Sequence, residues 1–263
     1  MSAGLHIAEG NGVARLTLSR PERLNALNRP LVDAIRDYFT ALYWRRDIRV
    51  VTLGAEGRHF CAGFDLKENG DAPGDTVDEK LDGQRMISEI VIAMRRCPQP
   101  VVAIVNGAAS GGGMALALAA DIRLGTPDMR MNAAFIRIGL SACDIGVSYF
   151  LPRMIGSSVA AHYMLTGRFI DADAAVRHGL VSCIGSLESL QAESETIVAD
   201  MLRATPLGLR LTKEALSHAI DAASLEAVIA MEDRNQILCA QGPHFSEGIA
   251  SFIEKREPDY RAR

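Results

Sequence analysis

The stretch "GAASGGGMALALAADIRL", residues 107–124, decides the fold. Its glycine triplet, Gly111, Gly112 and Gly113, opens a run of alanine, leucine and methionine residues that favours a helix. Glycine weakens a helix, so a triplet at its start indicates that another group comes very close to the backbone. An oxygen that becomes negatively charged would suit a helix N-terminus, and close packing of the helix on a strand would need small residues equally well. Neither G-x-G-x-x-G nor G-x-x-x-x-G-K-[ST] is present, which disfavours a nucleotide phosphate.

A second glycine turn, "GRHFCAGFDL" at residues 57–66, follows the apolar strand predicted at residues 50–53. The glycine triplet likewise follows an apolar strand, residues 101–105. In α/β sheets, ligands bind beyond the carboxyl ends of the strands, so we expect the two turns to converge there. Their backbone N–H groups would then hold one oxygen between them.

The order of predicted elements indicates an α/β fold with parallel strands, because strands alternate with helices up to about residue 125. From residue 145 onward the pattern is almost wholly helical. We therefore predict a sheet-rich core over residues 1–200 and a helical C-terminal region over residues 201–263. Residues 67–83 are rich in Gly, Asp and Asn and predict a mobile surface loop, ahead of an amphipathic helix that stops before Pro98.

Composition narrows the class of protein. The chain has 263 residues and a formal net charge of -4, so no broad basic surface supports a nucleic-acid or membrane partner. Its five cysteines lack metal-ligand spacing, which predicts reduced thiols and no metal site. The sequence shows no secretory leader and no apolar run as long as a membrane span, so we expect a soluble cytoplasmic protein.

Four motifs then identify a family by their order and spacing: "RPERLNALN" at residues 20–28, "HFCAGFDL" at 59–66, "NGAASGGGMALALAADIRL" at 106–124 and "LTGRFIDADAAVRHGLVS" at 165–182. Together they resemble the enoyl-CoA hydratase/isomerase (crotonase) superfamily over about residues 13–255. The resemblance implies a spiral of ββα units, a helical C-terminal trimerisation region and an acyl-CoA thioester substrate. It implies no separate cofactor, because coenzyme A is part of the substrate.

The resemblance also assigns site residues. It implies that the backbone N–H groups of Phe64 and Gly112 form an oxyanion hole for the thioester carbonyl. Substrate contacts are implied at Arg23, Ala26, Ala62, Gly63, Asp65, Leu66 and Phe135. Phe252 and Lys255 of the last helix resemble the pair that reaches a neighbouring subunit's nucleotide, in a homotrimer or a hexamer built as a dimer of trimers. From the residues alone, Arg23 and Lys255 are equally read as solvated surface charges, and Asp65 as a local turn cap.

The chain departs from the family pattern at its two usual catalytic glutamates. Ala115 and Phe135 stand at those positions, so the usual acid and base are both absent. Asp144 is the expected replacement, at a place that resembles a functional aspartate of dienoyl-CoA isomerases and 4-chlorobenzoyl-CoA dehalogenases. The dehalogenases add a histidine where this chain has Ser88. Asp144 also directly precedes a predicted helix, so an N-cap role is the alternative, and Glu89 is a reserve second acid.

One carboxylate beside an oxyanion hole supports three reactions: hydration of a 2-enoyl-CoA, movement of a double bond, and thioester hydrolysis. Hydration is the expected activity because it is the commonest in the family. An acyl-CoA-binding protein without catalytic activity remains an alternative, and so does an RNA-binding role for Arg45, Arg46 and Arg49, which the acidic total charge disfavours.

Overall fold

A computed structural model describes residues 3–68 and 76–260 of the chain. Within them the strands are β1 (Leu5–Gly10), β2 (Val13–Leu18), β3 (Val50–Ala55), β4 (Val101–Val105), β5 (Ala108–Ser110), β6 (Ile122–Gly125), β7 (Arg130–Asn132), β8 (Ile170–Asp171) and β9 (Cys183–Ile184). The α-helices are α1 (Arg29–Leu42), α2 (Val77–Arg96), α3 (Gly112–Ala119), α4 (Val147–Ile155), α5 (Ser157–Thr166), α6 (Ala172–Arg177), α7 (Leu187–Leu202), α8 (Pro206–Ala219), α9 (Leu225–Ala240) and α10 (Phe245–Glu254). This mixture confirms the predicted α/β class.

The larger sheet has the strand order β1-β2-β3-β4-β6-β9. Only β1 runs antiparallel to its neighbour, and every other pair in this sheet is parallel. All five residues of β4 are buried, as its uninterrupted apolar sequence predicts for a strand covered on both faces. Because β3 and β4 are adjacent and parallel, the turns that follow them emerge at the same edge of the sheet.

A smaller sheet, ordered β5-β7-β8, lies beyond that edge. The turn after β3 forms two isolated bridges. Cys61 pairs with Ala109 of β5, and Phe64 pairs with Leu27, shortly before α1. The glycine triplet passes directly from β5 into α3, all of whose residues are buried. The second sheet therefore fixes both glycine turns in place.

The prediction of a loop over residues 67–83 is wrong for its C-terminal part. Helix α2 begins at Val77, inside that stretch, with Thr76 as its N-cap. The Thr76 Oγ1 accepts from the Glu79 N–H at 3.2 Å, and the Glu79 carboxylate accepts from the Thr76 N–H at 3.1 Å. This reciprocal capping box starts the helix despite its polar sequence. Residues 69–75 of the predicted loop lie outside the described residues.

The C-terminal helices are tied to the core at one deeply buried point. Lys213 of α8 donates to the carbonyl oxygens of Met94 and Gln99, at 3.2 and 2.7 Å, and forms an ion pair with Asp121 at 3.1 Å. Helix α9, in contrast, has no buried residue. In the described part of the chain, no helix combines the length and the apolar character needed to cross a membrane.

Candidate active site

The turns after β3 and β4 are in direct contact. The Cys61 N–H donates to the Ala108 carbonyl at 3.1 Å, and the Ser110 N–H donates to the Cys61 carbonyl at 2.9 Å. Gly63 has a φ of 96°, and a Cβ on it would lie 2.7 Å from the Ser110 oxygen and 3.4 Å from the Gly112 nitrogen. Glycine is therefore required at residue 63, both for its backbone conformation and for this close approach.

Two backbone N–H groups, one in each turn, have no hydrogen-bond acceptor in the described part of the protein. Within residues 3–68 and 76–260, the N–H groups of Phe64 and Gly112 donate to no protein atom, whereas neighbouring amides are bonded. The Asp65 N–H donates to the Leu27 carbonyl at 3.0 Å, and the Gly111 N–H donates to the Asn132 carbonyl at 2.9 Å. Gly112 is the first residue of α3, where helix geometry leaves the N–H without a partner. These are the two amides that the sequence predicted for an oxyanion hole.

The three glycines of the triplet have different roles. Gly111 has a φ of 52°, a left-handed conformation that starts α3. A Cβ on Gly113 would lie 2.2 Å from the Cys61 carbonyl oxygen, so this residue allows α3 to pack on the first turn. A Cβ on Gly112 would meet only the tip of Leu27 closely, at 2.9 Å. Close packing thus explains Gly113, whereas Gly112 gives α3 its first amide, directly opposite the turn that contains Gly63.

Asp144 directly precedes a residue that lies next to the second turn. Its neighbour Ile145 would be 3.7 Å from a Cβ placed on Gly112. The Asp144 Oδ1 accepts from the Ile145 N–H at 2.8 Å and from the Gln84 side-chain amide at 2.6 Å. Burial raises the pKa of this carboxyl above its usual range, and the two hydrogen bonds oppose that shift only in part. Such a raised pKa suits a group that gives and takes a proton.

The alternative role of Asp144 as a helix N-cap is wrong. Gly146 is the N-cap of α4, with a φ of 82° and no side-chain capping bond. The Asp144 side chain instead bonds the adjacent amide of Ile145 and the side chain of a different helix. Sequence periodicity alone placed the start of α4 two residues too early.

Gln84 is a site residue that the sequence analysis missed. It donates to Asp144 from α2 and lies one helical turn before Ser88, which the analysis had singled out. Residues four apart share a helix face, so Gln84 lies on the same face of α2 as Ser88, but this spacing does not reveal its partner Asp144. The reserve acid Glu89 forms an ion pair with Arg85 at 2.6 Å, on α2 itself.

The predicted substrate-binding residues near the first turn form a charged cluster of their own. Asp65 is buried, and its Oδ1 accepts from the Arg23 guanidinium at 3.1 Å and from the Lys67 and Glu68 N–H groups at 3.2 Å each. Arg20 also pairs with Asp65, at 3.3 Å. Burial alone would raise the pKa of Asp65, but the amides and the two guanidinium groups together hold it below its usual range. Asp65 is therefore a turn cap and the partner of Arg23, which is not a freely solvated charge.

The remaining predicted positions fall into two groups. Near the turns, Ala26 and Phe135 are buried, Ala62 is half-buried and Leu66 is exposed. Phe252 is 86% exposed, and Lys255 lies exposed at the end of α10. No contact among the described residues joins the Phe252 and Lys255 side chains to the two turns.

The usual glutamate positions contain no ionisable group here. Ala115 is fully buried in α3, and the Phe135 ring lies 3.3 Å from a Cβ placed on Gly111. The described residues include no cluster of three or more His, Cys, Asp or Glu side chains that could hold a metal ion. The two usual glutamate positions therefore supply no acid or base to the turns.

A cavity of about 630 Å³ begins next to Asp144 and runs between α2, α4 and α8. Ser88, Ile145 and Gly146 line its end near Asp144, and Arg95 of α2 and Lys213 of α8 line it farther along. Phe64 and Gly112 are not among its lining residues, so the cavity adjoins the pair of turns and does not contain it.

Comparison with known proteins agrees with this arrangement. The family model for enoyl-CoA hydratase/isomerase matches residues 8–263. A relative in Mycobacterium tuberculosis (strain H37Rv), named probable enoyl-CoA hydratase EchA12, is 38% identical over 253 residues, which cover 94% of this chain and 88% of that protein. The 1,2-epoxyphenylacetyl-CoA isomerase of Escherichia coli (strain K12) is 30% identical over 253 residues, with 96% of each chain covered.

A solved structure supports the same assignment. The enoyl-CoA hydratase of Bacillus anthracis superposes with a TM-score of 0.91 at 29% identity, over 99% of this chain and 100% of that one. The fold and the pair of turns define an enzyme of the crotonase type. The chain belongs to the enoyl-CoA hydratase/isomerase family, and the family implies an acyl-CoA thioester substrate.

Proposed function

We propose that this enzyme hydrates 2-trans-enoyl-CoA to 3-hydroxyacyl-CoA, with Asp144 in place of both usual glutamates. The observation that carries the proposal is a pair of amides, of Phe64 and Gly112, that have no protein acceptor among the described residues. The half-buried Asp144 directly precedes Ile145, whose side chain lies next to Gly112. The names of the hydratase relatives support this reaction.

The two amides would act on the thioester carbonyl. When water adds to the β-carbon of the substrate, the carbon–carbon double bond becomes an enolate and negative charge develops on the carbonyl oxygen. The N–H groups of Phe64 and Gly112 would donate to that oxygen, and each well-placed donor stabilises such a charge by about 3–4 kcal/mol. The N-terminus of α3 adds a favourable dipole.

Asp144 would move the proton. Its carboxylate takes a proton from water as the oxygen bonds to the β-carbon, and then delivers that proton to the α-carbon of the enolate. The product has gained one water in total, and Asp144 returns to its starting state. Gln84 and the Ile145 amide would hold the carboxylate in place through the cycle.

Double-bond isomerisation is the second candidate, because it needs only one base. One relative is named 1,2-epoxyphenylacetyl-CoA isomerase, an isomerase that acts on an epoxide. Double-bond isomerisation uses the same two amides, and Asp144 would carry one proton between two carbons of the chain. Thioester hydrolysis needs the same groups but has no support in the names of the relatives. An acyl-CoA-binding protein without turnover is the remaining alternative.

The coenzyme A moiety would lie along the first turn, at Arg23, Ala26, Ala62, Gly63, Asp65 and Leu66, with Phe135 near the acyl group. We also propose that Phe252 and Lys255 bind the nucleotide of a neighbouring subunit in a homotrimer or hexamer. Their exposure on α10 supports an inter-subunit role.

The test is to incubate the enzyme with 2-enoyl-, 3-enoyl- and saturated acyl-CoAs and to identify the products by mass spectrometry and NMR. Hydration adds one water to the 2-enoyl-CoA. Asp144→Asn is expected to reduce this rate by about 10²- to 10⁴-fold while CoA-ester binding is kept. Glu89→Gln, the same chemical change on α2, is the control and should retain activity. Tight binding with no product in the wild type would support the non-catalytic alternative and refute the proposal.

A further inference from the structure

The cavity that begins next to Asp144 extends along one face of α2. Its volume of about 630 Å³ is typical of a site for a small molecule. Four of its lining residues follow the three- and four-residue spacing of one helix face: Ser88, Val91, Ile92 and Arg95. Arg95 lies two helical turns beyond Ser88, which corresponds to about 10 Å of helix rise. The cavity therefore leads from the neighbourhood of Asp144 to a guanidinium group.

The wall between these two ends is apolar and joins the second glycine turn. The Ile145 Cδ1 would lie 3.7 Å from a Cβ placed on Gly112. A Cβ placed on the next residue, Gly146, would lie 3.0 Å from the Phe150 ring. The Arg95 guanidinium lies 6.0 Å from the centre of that same ring. Lining residues thus form an unbroken path from Gly112 to Arg95.

The charge of Arg95 is neutralised only in part. Its Nη1 donates to the Asp121 carboxylate at 2.8 Å, and Lys213 pairs with the same carboxylate at 3.1 Å. Two cations therefore share one carboxylate. The Lys213 side chain is 3% exposed and inaccessible to a ligand, whereas the Arg95 side chain is 29% exposed. The excess positive charge is accordingly presented to the cavity by Arg95.

Arg95 also has donors to spare. A guanidinium group has five N–H donors. Among the described residues, that of Arg95 makes two hydrogen bonds, to Asp121 and to the Ser217 Oγ at 2.7 Å. The other charged groups of the lining leave it positive overall, because three further cations and one carboxylate contribute: Arg96, Arg210, Lys213 and Glu214. This end of the cavity therefore suits an anion with a planar pair of acceptors, such as a carboxylate.

We propose that this cavity takes the acyl chain of the substrate and selects a chain that ends in a carboxylate, which pairs with Arg95. The inference rests on the proposed acyl-CoA function and names its substrate class, an acyl-CoA with a second, terminal carboxylate. With the thioester carbonyl at Phe64 and Gly112, the methylene groups of the chain pass Ile145 and Phe150. Apolar walls suit those methylene groups, and the charge-assisted pair at Arg95 fixes the end of the chain.

The length of the preferred chain follows from helix geometry. An extended chain advances about 1.2 Å per bond, so about eight bonds cover the distance along α2 from Ser88 to Arg95. Fewer bonds suffice when the arginine side chain leans towards the N-terminus of its helix, as helical side chains do. We therefore expect recognition of a terminal carboxylate on a chain of about eight carbons and none on a chain half as long.

The experiment is isothermal titration calorimetry of the intact protein with unreactive CoA thioethers of about eight carbons, which end either in a methyl group or in a carboxylate. The carboxylate-ended chain is expected to bind about 10- to 100-fold more tightly, as one charge-assisted hydrogen bond provides. A pair of thioethers with half that chain length is the control and should show no such preference. Equal or tighter binding of the longer methyl-ended chain would overturn the proposal. A preference just as large for the short carboxylate would overturn the role of Arg95.

Variants identify the group that recognises the carboxylate. Arg95→Gln should abolish the preference while binding of the methyl-ended thioether is kept. Ser217→Asp places a carboxylate against Arg95 without deleting its ion pair with Asp121, and it should abolish the preference as well. This second variant carries the test if thermal unfolding shows that Arg95→Gln does not fold.

Arg96→Gln is the matched control, because it makes the same change at the next residue of the same cavity, where the side chain is exposed. It should keep most of the preference. An unchanged preference in folded Arg95→Gln or Ser217→Asp would refute the assignment. An equal loss in Arg96→Gln would show that the summed charge of the cavity, and not Arg95, selects the ligand.

Binding of thioethers separates this inference from the proposed reaction, since it needs no turnover. A preference for the carboxylate-ended chain without hydration of any 2-enoyl-CoA would support the inference and refute hydration. Hydration with no preference between the two chains would support the reaction and refute the inference. Binding of none of the CoA thioethers would refute both.

Discussion

At the scale of single residues, Gly112 and Gly113 differ sharply in what a methyl group would meet. Alanine favours helices over glycine by about 1 kcal/mol, so helix propensity alone predicts that either substitution stabilises the protein. We expect Gly113→Ala to destabilise it by about 1–3 kcal/mol or more, because its Cβ would lie 2.2 Å from the Cys61 carbonyl oxygen, a backbone atom. Gly112→Ala meets only the flexible tip of Leu27 and should cost less.

Urea unfolding of the two variants beside the wild type measures this difference. Enzyme assays on the same samples add a second contrast, since a methyl group on Gly112 would crowd the oxyanion hole. Gly112→Ala should therefore lose turnover while it keeps most of its stability. Equal stability of the two variants would contradict the packing role assigned to Gly113.

Asp144 predicts a pH dependence. Burial raises its pKa above the ordinary aspartate value of about 3.9, and the proposed mechanism needs the ionised form. The rate should fall as the pH drops through that raised value, so the acidic limb of kcat/KM lies above the ordinary aspartate range. Fitting kcat/KM between about pH 4 and pH 9 measures the limb. An acidic limb at or below the ordinary value would contradict Asp144 as the base.

The same raised pKa predicts that ionisation of Asp144, which turnover needs, lowers the stability of the folded protein. A carboxyl with a raised folded pKa binds its proton more tightly in the folded state, so its contribution to stability falls as the pH rises from the unfolded to the folded value. Above that window the buried charge is unfavourable. Asp144→Asn should therefore unfold at the same or a higher urea concentration than the wild type at about pH 8, a control that separates lost chemistry from lost fold.

At the scale of elements, Asp65 connects the turn after β3 to the segment before α1, through Arg20 and Arg23. Its pKa is lowered in the folded state, so its contribution is complete above the unfolded pKa and is lost as the pH falls through the folded one. Asp65→Asn should cost about 1.5–3 kcal/mol near pH 7, because it removes a charged hydrogen-bond acceptor while Arg20 keeps its ion pair with Glu68. The difference from the wild type should shrink from about pH 5 towards pH 3, as measured by urea unfolding.

The elements also show what the sequence could predict. The apolar strand at residues 101–105, which is β4, was correctly predicted from its local pattern. The start of α2 was missed because polar composition was weighted above the capping pair Thr76 and Glu79. The contact between Gln84 and Asp144 spans 60 residues, and no local pattern in one sequence specifies such a pairing.

At the scale of the whole molecule, the C-terminal helices expose an unusual amount of apolar surface. Helix α9 buries no residue of its own, although Leu225, Ile229 and Ile237 are all exposed large hydrophobic residues. Phe252 and Ile253 at the end of α10 are also largely exposed, at 86% and 72%. Large apolar patches of this kind mark interaction surfaces, which supports the proposed trimer.

Light scattering tests the trimer, with an expected mass of three times the 28.4 kDa chain, or twice that mass for a hexamer. Replacing Ile229 and Ile237 together by glutamate should reduce the measured mass at equal protein concentration. Two carboxylates without partners would lose their hydration at the subunit interface, and this loss weakens association. Ile7→Glu, on the exposed face of β1, is the control and should leave the mass unchanged. If Phe252 and Lys255 serve a neighbouring subunit, the dissociated variant should show a raised KM for CoA esters with a smaller change in kcat. A wild-type monomer in dilute solution would contradict both proposals.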